Sequence, residues 1–271
     1  MPPPPPDPDP AAASEAPQPT SPQPLSSAAS SPAADSQLLT VVRRCQARAR
    51  ERAATADELE LLKALVFRDE EGEQFDHLKH ERVEQLVALR QIQPHHRVLE
   101  LGARYGTVSC AIQLRRPERH VAVEPDSRTW EALAGNLSAN KCESCEQWRG
   151  FVSRQPLQMA GLEYGYGAHS VAAADAASAT SVPHCSLEEL ERLPDGTTKP
   201  FTVLIADCEG FLEVFFDENP KLIESDLELV IFEADRPDLC DYAKIRAALR
   251  QNGFACEVAG HQNVWRRERR Q

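Results

Sequence analysis

Three pairs of acidic residues stand at or near the ends of apolar, strand-like runs of this chain, and their spacing sets the chemistry open to it. Glu100 lies in Arg97-Val-Leu-Glu-Leu101, which leads into Gly102-Ala-Arg-Tyr-Gly106, and Glu124 closes His120-Val-Ala-Val-Glu124 twenty-four residues later. Asp207-Cys-Glu209-Gly210 follows Phe201-Thr-Val-Leu-Ile-Ala206, and Glu233-Ala-Asp235 follows Leu227-Glu-Leu-Val-Ile-Phe232. A Gly-rich turn between a strand and a helix lets backbone approach a nucleotide-like ligand, and an acid at the tip of the next strand suits ribose hydroxyls. Glu100 and Glu124 together therefore point to a ribose-bearing ligand.

Charge selects among such ligands. A dinucleotide would bring an anionic pyrophosphate to the turn, where Glu100 repels it. The methionine end of S-adenosylmethionine carries an ammonium and a sulfonium, which a carboxylate attracts. The turn also lacks the middle Gly of the Gly-x-Gly-x-x-Gly dinucleotide fingerprint, because Ala103 and Arg104 stand between Gly102 and Gly106. S-adenosylmethionine is the expected cofactor, and an NAD-dependent oxidoreductase is disfavoured.

The second acid pair falls where a transferable methyl would be presented. Crowded carboxylates do not all ionise cheaply, so one of them can hold a raised pKa and act as general base for an attacking alcohol. Asp207 and Glu209 are the candidates. Two other readings stay open for them: a cap for a helix starting near Phe211, or ligation of a hard divalent cation. No metal site is assigned, and the half zinc motif Cys142-Glu-Ser-Cys145 has no second Cys or His pair at a matching distance. No Asn/Asp-Pro-Pro-aromatic tetrapeptide follows Ala206, which argues for oxygen rather than amine or nucleobase methylation. His184 and His169 are lesser candidates for contact with substrate, while His77 and His80 read as solvated or hydrogen-bonded.

Positioning these residues requires strands and helices in alternation. The pattern predicts helices over Thr55 to Val66 and His77 to Arg90, then strands at 97–101, 120–124, 150–153, 201–206 and 227–232. Asp126 or Ser127 is expected to cap a helix reaching Asn140. A helix over Asp241 to Asn252 precedes a terminal hairpin of Phe254 to Val258 with Asn263 to Arg266. Continuous apolar runs suit strands buried on both faces of a parallel sheet, so the fold class is α/β, a doubly wound, mostly parallel sheet. Residues 155–181 are too long and too poor in periodic apolar positions for an ordinary connection and read as a lid or a surface insertion.

Composition sets the organisation. The first thirty-six of the 271 residues hold twelve of the twenty-one prolines and no Lys or Arg, so residues 1–36 read as a disordered Pro/Ala/Ser-rich tail. Residues 37–93 read as a helical lead-in and 94–271 as the cofactor-binding domain. The tail carries neither the basic start and apolar core of a signal peptide nor the Arg of a transit peptide, and no apolar stretch is long enough to span a bilayer. The eight cysteines read as reduced thiols. The expectation is a cytoplasmic protein without a membrane partner. The net charge of −12, of which the tail's four acids account for four, argues against a nucleic-acid partner.

These residues resemble the FkbM family of S-adenosylmethionine-dependent methyltransferases. The resemblance runs through Val98-Leu-Glu-Leu-Gly-Ala103 and Gly106, Glu124-Pro125, Asn136 and Asn140, Gly165-Tyr-Gly167, Leu187 to Leu190, and Asp207-x-Glu209-Gly210, covering roughly residues 78 to 235. It implies a Rossmann-like class I methyltransferase fold of seven strands with an antiparallel last strand, and O-methylation of a small-molecule or sugar hydroxyl. Arg104 departs from the small polar residue usual at its position. On this reading Glu100, Gly102, Ala103, Gly106, Glu124, Pro125 and Asp207 line the cofactor pocket, and Asp207 and Glu209 act on the acceptor. The rival expectation is a catalytically degenerate scaffold protein whose Pro-rich tail engages aromatic grooves.

Overall fold

The computed structural model describes residues 54–161, 169–172, 182–224 and 226–268. The expected tail, the first part of the lead-in, Gly165-Tyr-Gly167 and most of the 155–181 segment lie outside the described residues. Among the described residues, no helix is long and apolar enough to cross a membrane.

Three helices come first: α1 (Ala56–Lys63), α2 (His77–His80) and α3 (Arg82–Gln91). Thr55 and Glu58 form the expected capping box on α1, each side chain bonding the other's backbone N–H. The expected continuous helix from His77 to Arg90 is broken at Glu81, which leaves helical geometry at φ −122° and ψ 21° and turns its carboxylate to the Thr107 hydroxyl. His77 is buried and bonded to Gln85 rather than solvated. Val83, expected on the apolar side, is exposed.

There follow β1 (Arg97–Leu101), α4 (Thr107–Gln113), β2 (Arg119–Glu124), α5 (Trp130–Ala139) and β3 (Cys145–Arg149). The third sheet strand is thus earlier than the 150–153 predicted from its apolar residues. β3 is an edge strand with Glu146 and Gln147 exposed, so it needs no apolar run. Phe151–Val152 instead forms β4, paired with β7 (His184–Cys185) outside the main sheet. Neither Asp126 nor Ser127 caps α5, whose N-cap Thr129 makes no side-chain capping bond and donates its hydroxyl to the Asp126 carbonyl instead; Asp126 is taken by Arg128. Within the segment expected to be irregular, β5 (Leu157–Ala160) pairs antiparallel with β6 (His169–Ala172).

The chain closes with α6 (Leu187–Glu191), β8 (Val203–Ala206), α7 (Leu212–Glu218), α8 (Pro220–Glu224), β9 (Leu229–Glu233), α9 (Tyr242–Gln251), β10 (Phe254–Val258) and β11 (Gln262–Arg267). Asp241 caps α9 and β10–β11 is the expected hairpin. The main sheet has the order β10-β11-β9-β8-β1-β2-β3, parallel except at β11, which runs antiparallel to both neighbours. The family resemblance implied this seven-stranded arrangement with an antiparallel last strand.

Side chains alternate across the strands, so each face has its own core. Leu99, Leu101, Val121, Val123, Leu204, Ala206, Val230 and Phe232 pack with α7, α8 and α9 on one face. Val98, Ala122, Val203, Ile205, Leu229 and Ile231 pack with α1, α3, α4 and α5 on the other. The sheet is therefore doubly wound, and residues 54–93 share its core rather than forming a separate unit.

The segment between α1 and α2 is tied to α5 by two asparagine amides. Asn140 bonds both the N–H and the C=O of Val66, at 2.9 and 2.8 Å, and Asn136 does the same for Arg68, at 2.8 Å each. Asn136 also donates to the Tyr105 carbonyl, at 2.9 Å. Residues four apart on a helix share one face, and here they mimic the edge of a neighbouring strand.

Candidate active site

Sheet register assembles the site. Leu101 pairs with Val123 on one side and with Ala206 on the other, and Ala206 pairs with Phe232. One step beyond these partners, at the carboxyl ends of the strands, stand Glu124, Gly102, Asp207 and Glu233 in a row, and Glu233 pairs with Gln262 of β11. The chain leaves β1 toward β2 on one side and β8 lies on the other, which makes this the topological switch point where open α/β sheets bind ligands.

Gly102 is where the two sides meet. Its φ is +85°, and a Cβ placed on it would lie 1.7 Å from the Asp207 carbonyl oxygen. Only glycine permits that approach of the β1 turn to the β8 tip. The amides of the turn are already engaged: Gly102 and Ala103 both donate to the Val123 carbonyl at 3.0 Å, Gly106 donates to Ala103, and Arg104 donates to Glu124. Gly102 and Ala103 thus shape the wall rather than offer donors. Gly106 is outside the cleft lining; its left-handed φ of +79° starts α4 against Leu133.

A cleft opens over this row at the carboxyl ends of the strands. Glu100, Gly102, Ala103, Glu124, Pro125, Asp207 and Glu209 all line it, as do His169 and Arg104. His184 is exposed and His80 solvated, and neither lines the cleft.

On the β1–β2 side the carboxylates are tightly held. Glu100 is 2 % exposed, and its Oε2 accepts from the Ser109 hydroxyl at 2.6 Å and meets His120 Nε2 at 2.9 Å. His120 Nδ1 faces the Gln113 amide at 3.1 Å, which leaves Nε2 as the donor to Glu100. Among the described residues, Glu100 Oε1 accepts no hydrogen bond. Glu124 accepts from Arg104 N at 2.6 Å through Oε2 and from Asp126 N at 2.7 Å through Oε1. Burial nonetheless pushes its carboxyl up to about 7, against the pull of those two amides. Arg104, at φ +45°, stacks its guanidinium 4.6 Å from the Tyr105 ring and donates to the Tyr105 hydroxyl at 3.1 Å.

The β8–β9 side is crowded with acid. Asp207 has accessible surface, but it opens on the cleft, and loss of bulk water raises its pKa well above the usual carboxylate range, reinforced by Glu233, Asp235, Glu81 and Glu209. Glu209 is also raised by burial and Asp235, with Arg236, 3.8 Å away, opposing. Glu233 is pushed up to about 7 by burial, against the pull of its partner His261. Glu209 occupies a left-handed conformation at φ +49°, a strain of about 1–3 kcal/mol for a non-glycine residue. Neither Asp207 nor Glu209 caps α7, whose N-cap Phe211 has no side-chain bond.

The sequence reading missed Glu81, Glu84 and Gln262, which also line the cleft. Gln262 Nε2 donates to Glu84 Oε1 at 2.8 Å and to Glu233 Oε2 at 3.0 Å. Nothing local marks Glu81 and Glu84 out; their side chains reach the site because α2 and α3 dock on the sheet. Three side chains at the opposite ends of the strands, His95, His96 and Glu228, bring potential metal ligands together. His96 Nδ1 accepts from Gln93 N at 3.0 Å, which fixes the proton on Nε2, so that nitrogen is not a ligand in this arrangement.

No family model matches the chain, and no curated protein matches it. Among solved structures it is similar to a precorrin-6y C5,15-methyltransferase from Geobacter metallireducens GS-15, at 16% identity over 67% of this chain and 84% of that one, with a TM-score of 0.42. It is also similar to a ribosomal protein L11 methylase from Lactobacillus delbrueckii subsp. bulgaricus, at 16% identity, 76% and 83% coverage and TM-score 0.40. A third is M. jannaschii TYW2 in complex with AdoMet, at 11% identity, 72% and 82% coverage and TM-score 0.38. Likenesses this distant carry no argument about activity, which rests on the cleft itself.

Proposed function

We propose that this chain is an S-adenosylmethionine-dependent methyltransferase that methylates a hydroxyl of a small-molecule or sugar acceptor, with the membership in the FkbM family that its motifs suggest. The observation that carries the reading is the row Glu124, Gly102, Asp207 across the switch point, one carboxylate suited to a ribose on one side and a crowded acid pair on the other.

The residues present fit the cofactor. Each Glu124 oxygen has given one lone pair to a backbone N–H and keeps another for a ribose hydroxyl. Glu100, with Oε2 occupied by Ser109 and His120, keeps Oε1 for an ammonium. Ala103 and Pro125 supply apolar wall beside them. Bound there, S-adenosylmethionine supplies an electrophilic methyl on its sulfonium.

Of the two acids beyond Gly102, Glu209 is the better general base. Its carboxyl is partly buried, and Arg236 opposes the upward push of burial and Asp235, so of the two it is the more readily ionised and can take the acceptor's proton as the alcohol attacks. Asp207, pushed well above the usual carboxylate range, is the better suited of the two to orient the hydroxyl as a hydrogen-bond donor. The strained backbone of Glu209 aims that carboxyl into the cleft. The enclosure by Phe151, Val152 and Phe211 keeps bulk water from competing with the acceptor.

The deciding experiment is a calorimetric titration with S-adenosylmethionine and S-adenosylhomocysteine, with NAD as control. Micromolar binding of both, absent for NAD, is expected. Failure of both to bind overturns the reading.

A further inference from the structure

The acceptor end of the cleft is unbalanced in charge, and the imbalance specifies a substrate. Five carboxylates face it: Glu81 and Glu84 from the helical lead-in, Asp207 and Glu209 after β8, and Glu233 at the end of β9. Among the described residues lining the whole cleft there is no lysine, and Arg104 and His169 are its basic side chains. Arg104 donates to the Tyr105 hydroxyl and pulls on the Glu81 and Glu209 carboxyls, and His169 pulls on Glu209. Outside the lining, Arg236 closes on Asp238 at 2.9 Å and stands 3.8 Å from Glu209, while His261 pairs with Glu233 Oε1.

Among the described residues, Glu84 has no such partner. Its Oε1 shares the Gln262 amide with Glu233 Oε2, so two carboxylates flank one neutral nitrogen. Its Oε2 is buried and has no hydrogen-bond partner. A buried carboxylate oxygen without a donor is costly, and nearly all such atoms are satisfied in folded proteins. Gln262 brings hydrogens to the pair but no charge. Burial first, and neighbouring acids second, raise the Asp207 and Glu233 carboxyls; an entering ammonium favours their ionised forms, whereas phosphate is repelled.

We propose that the acceptor carries an ammonium group beside the hydroxyl to be methylated, seated between Glu84 and Glu233 at Gln262, with the hydroxyl directed to Glu209. The substrate class is thus a small amino alcohol or aminated polyol. This assignment rests on the methyltransferase reading.

The test uses three open-chain polyols that differ at one end: sorbitol is neutral there, its 1-amino-1-deoxy analogue is a cation, and gluconate is an anion. Each is titrated into the full chain saturated with S-adenosylhomocysteine, whose own binding is measured first. The amino polyol is expected to bind about tenfold or more tighter than sorbitol, and gluconate more weakly than either. Glu84→Gln and Glu233→Gln should each erode the preference while leaving the S-adenosylhomocysteine affinity unchanged. Equal affinities, a preference for gluconate, or no binding of the amino polyol up to about 100 mM overturns the assignment and leaves the methyltransferase reading standing. Failure of S-adenosylhomocysteine to bind removes both.

Discussion

Glu124 ends β2 and Asp207 follows β8, so they flank the β1 turn from either side, yet donors surround one carboxyl and among the described residues none reaches the other. Two backbone amides hold Glu124, and a hydroxyl and an imidazole hold Glu100. Asp207 is instead surrounded by Glu233, Asp235, Glu81 and Glu209, while Glu209 and Glu233 stand between acids and the basic Arg236 and His261. A carboxylate locked by the protein's own donors is pre-organised for one ligand geometry. A carboxylate left among like charges is poised to exchange protons. On the proposed reading, the difference separates a half of the cleft that holds the cofactor from a half that acts on the acceptor.

The comparison breaks most completely at Gly102, where the halves touch. Gly102→Ala should abolish cofactor binding and turnover together, because its Cβ would collide with the Asp207 backbone; calorimetry and an activity assay on the same preparation check this. Glu209→Gln should break only the reacting half. Turnover is expected to fall by ~10²–10⁴ with S-adenosylmethionine affinity intact, read as kcat against KM. Glu124→Ala should break only the holding half, weakening cofactor binding by about tenfold or more. In the unsubstituted protein, hydroxyl donors favour the ionised form of Glu124, so affinity should decline as pH falls below about 7 and level off above it.

The smallest expected effect is on stability, and its sign sharpens the contrast. The folded-state pKa of Asp207 is raised, so its contribution is fully favourable below the unfolded carboxylate pKa and is lost as pH rises through the folded value. Asp207→Asn should therefore raise the thermal midpoint by a few degrees at pH 8, with the gain closing toward pH 5. Scanning calorimetry at the two pH values reads it; an equal gain at both would separate the effect from ionisation.

The strand ends were legible in the sequence because buried parallel strands write themselves as unbroken apolar runs, and an acid closing such a run stands out. What the runs do not encode is register. That Gly102, Asp207 and Glu233 lie side by side follows from the pairing of Leu101, Ala206 and Phe232, a long-range property. β3 was misplaced because an edge strand with exposed Glu146 and Gln147 carries no such run. The apolar Phe151 and Val152 belong to a separate pairing, in which Gly150 passes close under Pro183. Glu81 and Glu84 were invisible for a different reason. In sequence they are polar residues of an ordinary amphipathic helix, and only tertiary docking of that helix turns them into a wall of the cleft.

That docking depends on the amide clamps of Asn136 and Asn140, which bond the backbone of Val66 and Arg68 across more than sixty residues of sequence. Contacts so distant along the chain carry a loop-closure cost, which these four bonds offset in holding the strap that leads to the acceptor wall. The amide hydrogens of Val66 and Arg68 are bonded to side chains rather than within a ladder. Their exchange with solvent deuterium reports the opening of this strap alone, giving the access to the cleft its own clock, distinct from that of global unfolding.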